Sequence, residues 1–118
     1  MRFDGTGIDN KELLFGELEE IMEDAGFTRG GHWDYERVTY DYKYEDTSNG
    51  DVYYLRVPGV AVRGEIEQLS AKVKLMTPYL GKHYYPHGVE YDEEFPESLV
   101  NSCKKVLSEL NEHLSQSK

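Results

Sequence analysis

The sequence holds a single cysteine, Cys103, in 118 residues. That excludes an internal disulfide framework and any metal site built from several cysteines. Basic residues are scarce. Only 13 Lys and Arg stand against 23 Asp and Glu, so the formal net charge is −10. Nucleic-acid affinity needs basic surface to displace counterions, so nucleic-acid partners are not expected. No apolar run approaches the ~20 residues needed to span a bilayer, and no membrane partner is expected. The N-terminal Met-Arg-Phe-Asp-Gly-Thr-Gly contains no apolar signal region, which makes a cytoplasmic protein the expectation. Internal repeats, linkers and low-complexity stretches are absent as well.

Aromatic residues, by contrast, are abundant: ten Tyr, four Phe and one Trp. The length fits one domain, 1–118, that buries roughly two thirds of its unfolded surface. Asp9 followed by Glu12 makes a capping box, and Leu14, Leu18, Ile21, Met22 and Ala25 recur at helical spacing. A strongly acidic first helix is therefore expected to open at Asp9 and end at Gly26. From Trp33 to Glu45 the period changes to two. Val38, Tyr40, Tyr42 and Tyr44 face one way and Arg37, Thr39, Asp41 and Lys43 the other, as in a half-buried strand. Asp46 to Asp51 is a turn containing Asn-Gly. Val52–Val57 reads as a second strand ended by a Pro58-Gly59 turn. Val60, Val62 and Ile66 give a third, with Gly64 at a bulge, and Ala71–Met76 a fourth. Residues 77–96 lack a sustained period and read as an ordered loop with a short extended piece at 88–91. Leu99, Val100, Cys103, Val106, Leu107, Leu110 and Leu114 mark a last amphipathic helix.

The expected fold is α+β: a two-layer sandwich of a four-stranded or slightly larger antiparallel sheet. An N-terminal and a C-terminal helix pack on one of its faces. The other face then collects Arg37, Lys43, Arg56, Arg63, Lys72 and Lys74, with Asp41, Glu45 and Glu65 among them and Tyr35, Tyr54 and Met76 between. Cations on the wet face of an antiparallel sheet are ordinary solvation. Arg37, Lys43, Tyr54, Arg56, Arg63, Lys72 and Lys74 also form a candidate interaction face for an anionic partner. A second copy of the acidic first helix would be one such partner. A homo-oligomer, with a dimer favoured, follows from that reading.

A second candidate is the run Lys82-His83-Tyr84-Tyr85-Pro86-His87-Gly88. His83 and His87 are four apart, as two ligands on one helix face would be, but Pro86 between them breaks the helix. A loop site for a small molecule or metal, built on His83, Tyr84, Tyr85 and His87, is the alternative to plain aromatic packing. Cys103 lies on an apolar stripe and reads as a small buried hydrophobe. Asp92-Glu93-Glu94 lacks the alternating ligands and glycine of an EF-hand loop. No nucleophile, base and orienting group are placed together by spacing. No catalytic residue, metal or cofactor is assigned, and a binding module is favoured over an enzyme.

Val38-Thr39-Tyr40-Asp41-Tyr42-Lys43, Tyr54-Leu55-Arg56-Val57-Pro58-Gly59 and the long run from Val73 to Tyr91 resemble the YugN-like family. These are small proteins of Bacillus and its relatives, and the resemblance covers nearly the whole chain. It implies a bacterial cytosolic origin and a compact α+β fold with a sheet-and-helix topology like that of the TATA-binding protein. It supplies no catalytic residues. It draws attention to the segment from Thr77 to Tyr91.

Overall fold

The structure, a computed structural model, describes residues 1–30, 34–48, 50–84, 88–90 and 95–116. For Tyr84 and residues 88–90 only the backbone path is described. The elements run β1 (Glu12–Leu14), α1 (Phe15–Asp24), β2 (Thr28–Arg29), β3 (Arg37–Glu45), β4 (Val52–Arg63), β5 (Lys72–Leu75), β6 (Tyr79–Tyr84), β7 (Gly88–Glu90) and α2 (Glu97–Gln116). Seven strands make one antiparallel sheet in the order β1-β5-β4-β3-β2. β6 lies end to end with β5 along the same edge of β4, and β7 pairs with β6. The α+β sandwich of the sequence reading holds, with seven strands among the described residues where four or slightly more were expected.

The first helix begins later than the sequence implies. Asn10 takes a left-handed turn at φ 71° and donates its N–H to the Leu75 carbonyl at 2.7 Å. Leu75 in turn donates to the Lys11 carbonyl at 2.8 Å. Those bonds hold the next three residues extended, and they pair with β5 as β1. Leu14 is therefore an extended residue before the helix, with no side-chain cap, and Phe15 is the first residue of the buried stripe. At the other end the reading holds. Gly26 has φ 91°, its N–H meets the Glu23 carbonyl, and the Phe27 N–H reaches back to Met22. Together these bonds make a Schellman cap.

β3 ends where the periodicity puts it but begins only at Arg37, because the Asp34 carboxylate accepts the Glu36 and Arg37 N–H at 2.8 Å and turns the chain there. The turn after β3 lies where expected. The Asp46 carboxylate accepts the Ser48 N–H at 3.0 Å and the Ser48 hydroxyl at 2.6 Å, as Asp at the head of a turn does.

Pro58-Gly59 is not a turn. β4 runs straight through it for 12 residues. In an antiparallel ladder a residue's N–H and C=O point to the same neighbour. The Pro58 carbonyl accepts the Met76 N–H at 2.8 Å, so the N–H that proline lacks would also point there. On that side β6 pairing ends at Arg56 and β5 pairing begins at Gly59. The missing donor costs no bond to β3. Gly59 is required by the core: a Cβ there would sit 2.8 Å from Val73 Cγ1 and 3.4 Å from Leu75 Cδ2. Gly59→Ala should destabilise the fold by about 1–3 kcal/mol through overpacking. Urea denaturation reads this, and an unchanged midpoint would show that the sheet yields instead.

Residues 77–96 also depart from the loop expectation. Tyr79–Tyr84 is a full strand against Val52–Arg56, followed by the short β7, which matches the extended piece expected there. Alternation was hidden because Gly81 stands on one face and Lys82 on the other. Lys82 leaves the core by pairing with Asp51 at 3.4 Å.

Both helices cover one face. Phe15, Leu18 and Met22 of α1 and Cys103, Leu107, Leu110 and Leu114 of α2 are buried. They join Val38, Tyr40, Tyr53, Leu55, Val57, Val73, Leu75 and Leu80 of the sheet in one cluster. Phe3 and Ile8, from the irregular N-terminal segment, are buried in it too. Burial pushes the Cys103 thiol up to about 11, consistent with an inert core position.

Candidate interaction face

Among the described residues, no helix lies on the other face of the sheet. Its composition follows from the register, because paired residues across antiparallel strands share a face. One row reads Arg63, Lys72, Leu14; the next reads Arg37, Val60, Lys74, Glu12. Pro58 and Thr39 follow, with Met76 beside Pro58. Then come Thr28, Asp41, Arg56, Tyr79, and after them Lys43, Tyr54, Gly81. Glu45, Val52 and His83 close the series. A largely apolar spine along β4 is thus flanked by cations on β3 and β5. All seven residues of the expected interaction face, Arg37, Lys43, Tyr54, Arg56, Arg63, Lys72 and Lys74, lie on it.

One cation is committed. Arg56 Nε lies 3.2 Å from Asp41 Oδ1, and both side chains are largely screened from water. Desolvation raises the Asp41 carboxyl above its ordinary value more than Arg56 lowers it. The Arg56 guanidinium sits 5.3 Å over the Tyr54 ring, within cation–π range. Tyr54 meets the His83 ring edge-on at 6.0 Å. A continuous line of contacts therefore runs Asp41, Arg56, Tyr54, His83 across three strands.

That line joins the two regions singled out in the sequence. His83 belongs to the sheet face and not to a separate loop site. The Tyr84 side chain, Tyr85 and His87 lie outside the described residues. Among the described residues, no three His, Cys, Asp or Glu side chains are placed to hold a metal ion.

Apolar exposure concentrates here as well. Leu14 is 37% exposed and Met76 44%, and both lie on this face; Val62, 48% exposed, stands at the β4 irregularity beside Arg63. Sequence reasoning missed Leu14 and Glu12 because it placed them in a helix. It missed Tyr79 and His83 because β6 was read as a loop. The alternation of Tyr79, Gly81 and His83 against the buried Leu80 was the available signal.

Most of the clefts lie elsewhere. One of 290 Å³ is lined by Glu19, Phe27, Arg29 and Tyr40. Its Arg29 is held by Glu19 at 3.4 Å and Glu67 at 2.5 Å and lies 5.6 Å over the Phe15 ring. At the rim of the open face, a shallow depression of 640 Å³ takes in Tyr35, Arg37 and Val60.

Fold and face together define a two-layer α+β sandwich with one sheet face left bare. A sequence profile of the YugN-like family matches residues 5–114, and the chain belongs to that family. It is 43% identical over 112 residues to the uncharacterized protein YlbA of Bacillus subtilis, covering 93% of this chain and 92% of that one. It is 31% identical over 85 residues to the uncharacterized protein YugN of the same organism, covering 72% of this chain and 62% of that one. The crystal structure of the uncharacterized conserved protein YugN from Geobacillus kaustophilus is similar with a TM-score of 0.86 and 46% identity. That match covers 98% of this chain and 96% of the other. Among the described residues, no helix is long and apolar enough to cross a membrane.

Proposed function

We propose that the protein is a non-enzymatic cytoplasmic interaction module that self-associates through the open sheet face. The observation that carries this reading is charge segregation. In a chain of net charge −10, six Lys and Arg stand against Glu12, Asp41 and Glu45 on the sheet face that, among the described residues, no helix covers. The exposed apolar side chains of Leu14 and Met76 stand among them. Cations over an apolar spine suit an anionic protein surface, since rim charges steer and orient while apolar contact supplies affinity. Sedimentation velocity at low salt and tens of micromolar protein should show species heavier than one chain. A single monomer boundary over that range would remove the reading.

A further inference from the structure

We propose that the partner surface on the second copy is the outer side of its helix layer at α1, so that copies assemble head to tail. This rests on the open-face reading above and names what meets that face.

The helix layer is the chain's complementary surface. α1 carries five carboxylates and no base over Phe15–Asp24. Glu19 is held by Arg29, while Glu20, Glu23 and Asp24 are exposed. Where the end of α1 meets α2, a groove of 190 Å³ is lined by Asp24, Glu109 and His113, with Tyr42 and Val106 beneath. Two carboxylates over an aromatic and aliphatic floor suit a Lys or Arg side chain, whose apolar stem and charged head want such different surroundings.

Symmetry then limits the assembly. A two-fold contact presents the same patch from both copies. Two open sheet faces would oppose cation to cation, and two helix layers acid to acid. The complementary surfaces lie on opposite sides of a molecule about as thick as its shortest extent, 22 Å. Contact between them is heterologous. Two copies form first, and each free face can take another, giving a ring or an open chain.

The test uses two charge-reversed chains. Arg37→Glu with Lys72→Glu disables the sheet face. Glu23→Lys with Asp24→Lys disables the helix side, and it places bases in the last turn of α1, where they favour the helix dipole. Thermal melting confirms folding of both. The wild-type association constant should fall at least about tenfold from low salt to about 0.5 M salt, because exposed charges are screened. Each variant alone should be monomeric, their mixture should associate and grow because the native pair of faces and the reversed pair are both complementary, and the chain with all four changes should associate again. Several outcomes overturn the proposal. If only the sheet variant loses association, or if salt strengthens association, the open face stands and the helix partner is wrong. The same holds if both variants are monomeric but do not pair. A sheet variant that still associates, or a wild type monomeric at every salt, removes the open-face reading as well.

Discussion

Raising the pH well above about 10 should unfold the protein over a narrow range. The cause is in the core. Burial holds the Tyr40 hydroxyl far above its ordinary value, and the Glu19 carboxylate beside it pushes the same way. Burial does the same to Tyr44, partly offset by the Ser102 hydroxyl, and to Tyr53, where Asp51 adds to it. Each group keeps its proton in the folded state above the pH at which the unfolded chain releases it. The folded state then binds more protons, so stability is intact below about pH 10 and lost as the pH rises further. One such group contributes a slope of about 1.4 kcal/mol per pH unit while it alone keeps its proton in the folded state, so Tyr40 and Tyr44 together give about 3, and Tyr53 adds in the same direction. Cys103, pushed up to about 11, adds to the loss from about pH 8.5 upward. Against a total stability of about 5–15 kcal/mol, two to three pH units suffice. Phenolate absorbance and circular dichroism followed together should show ionisation and unfolding in one step. Tyr44→Phe should lower the slope by about a third to a half. Gradual, non-cooperative ionisation with the fold intact would show that these phenols are not confined as described.

How far the sequence disclosed the fold depends on which forces set each element. β3 and α2 are periodic because one face of each is buried and the other wet, and both were legible to within a few residues. The cap at Gly26 was legible because a left-handed residue there has a local chemical signature. β1 was not, since nothing local distinguishes Glu12-Leu13-Leu14 from a helical turn. Its strand form depends on bonds from residues 10 and 11 to Leu75, more than 60 positions away. Pro58-Gly59 misled for a related reason. The pair is a turn signal by composition, but here the proline stands at a break in the neighbouring ladder and the glycine admits Val73. That the cations share one side of the sheet was legible from alternation alone. His83 was seen as chemistry but given the wrong address, because β6 shows its strand character only when laid against β4. What joins it to Arg56 is tertiary contact through Tyr54.

Ile66 gives the second large expected effect. The sequence suggests a strand residue, but it sits in the irregular connection between β4 and β5 and is fully buried. Its N–H donates to the Tyr35 carbonyl at 2.9 Å. The connection around it is held in unusual backbone. Gly64 has φ 72° and Glu67 φ 88°, the latter costly for a residue with a side chain. Glu67 is retained there by its ion pair to Arg29, and the Gln68 side chain accepts the Glu65 N–H at 3.0 Å. The segment works as a plug whose apolar tip fills the end of the core. Ile66→Ala should therefore cost about 2–5 kcal/mol, as for a central core residue. Leu69→Ala, three positions on and 71% exposed, should stay within about 0.5 kcal/mol of wild type. Urea denaturation with unchanged slope would measure both, and an Ile66→Ala cost below about 1 kcal/mol would show that the plug is dispensable. The consequence reaches the open face. The same connection follows the β4 bulge that sets Arg63 opposite Lys72, so one end of the cationic face is placed by a hydrophobic side chain on the far side of the sheet.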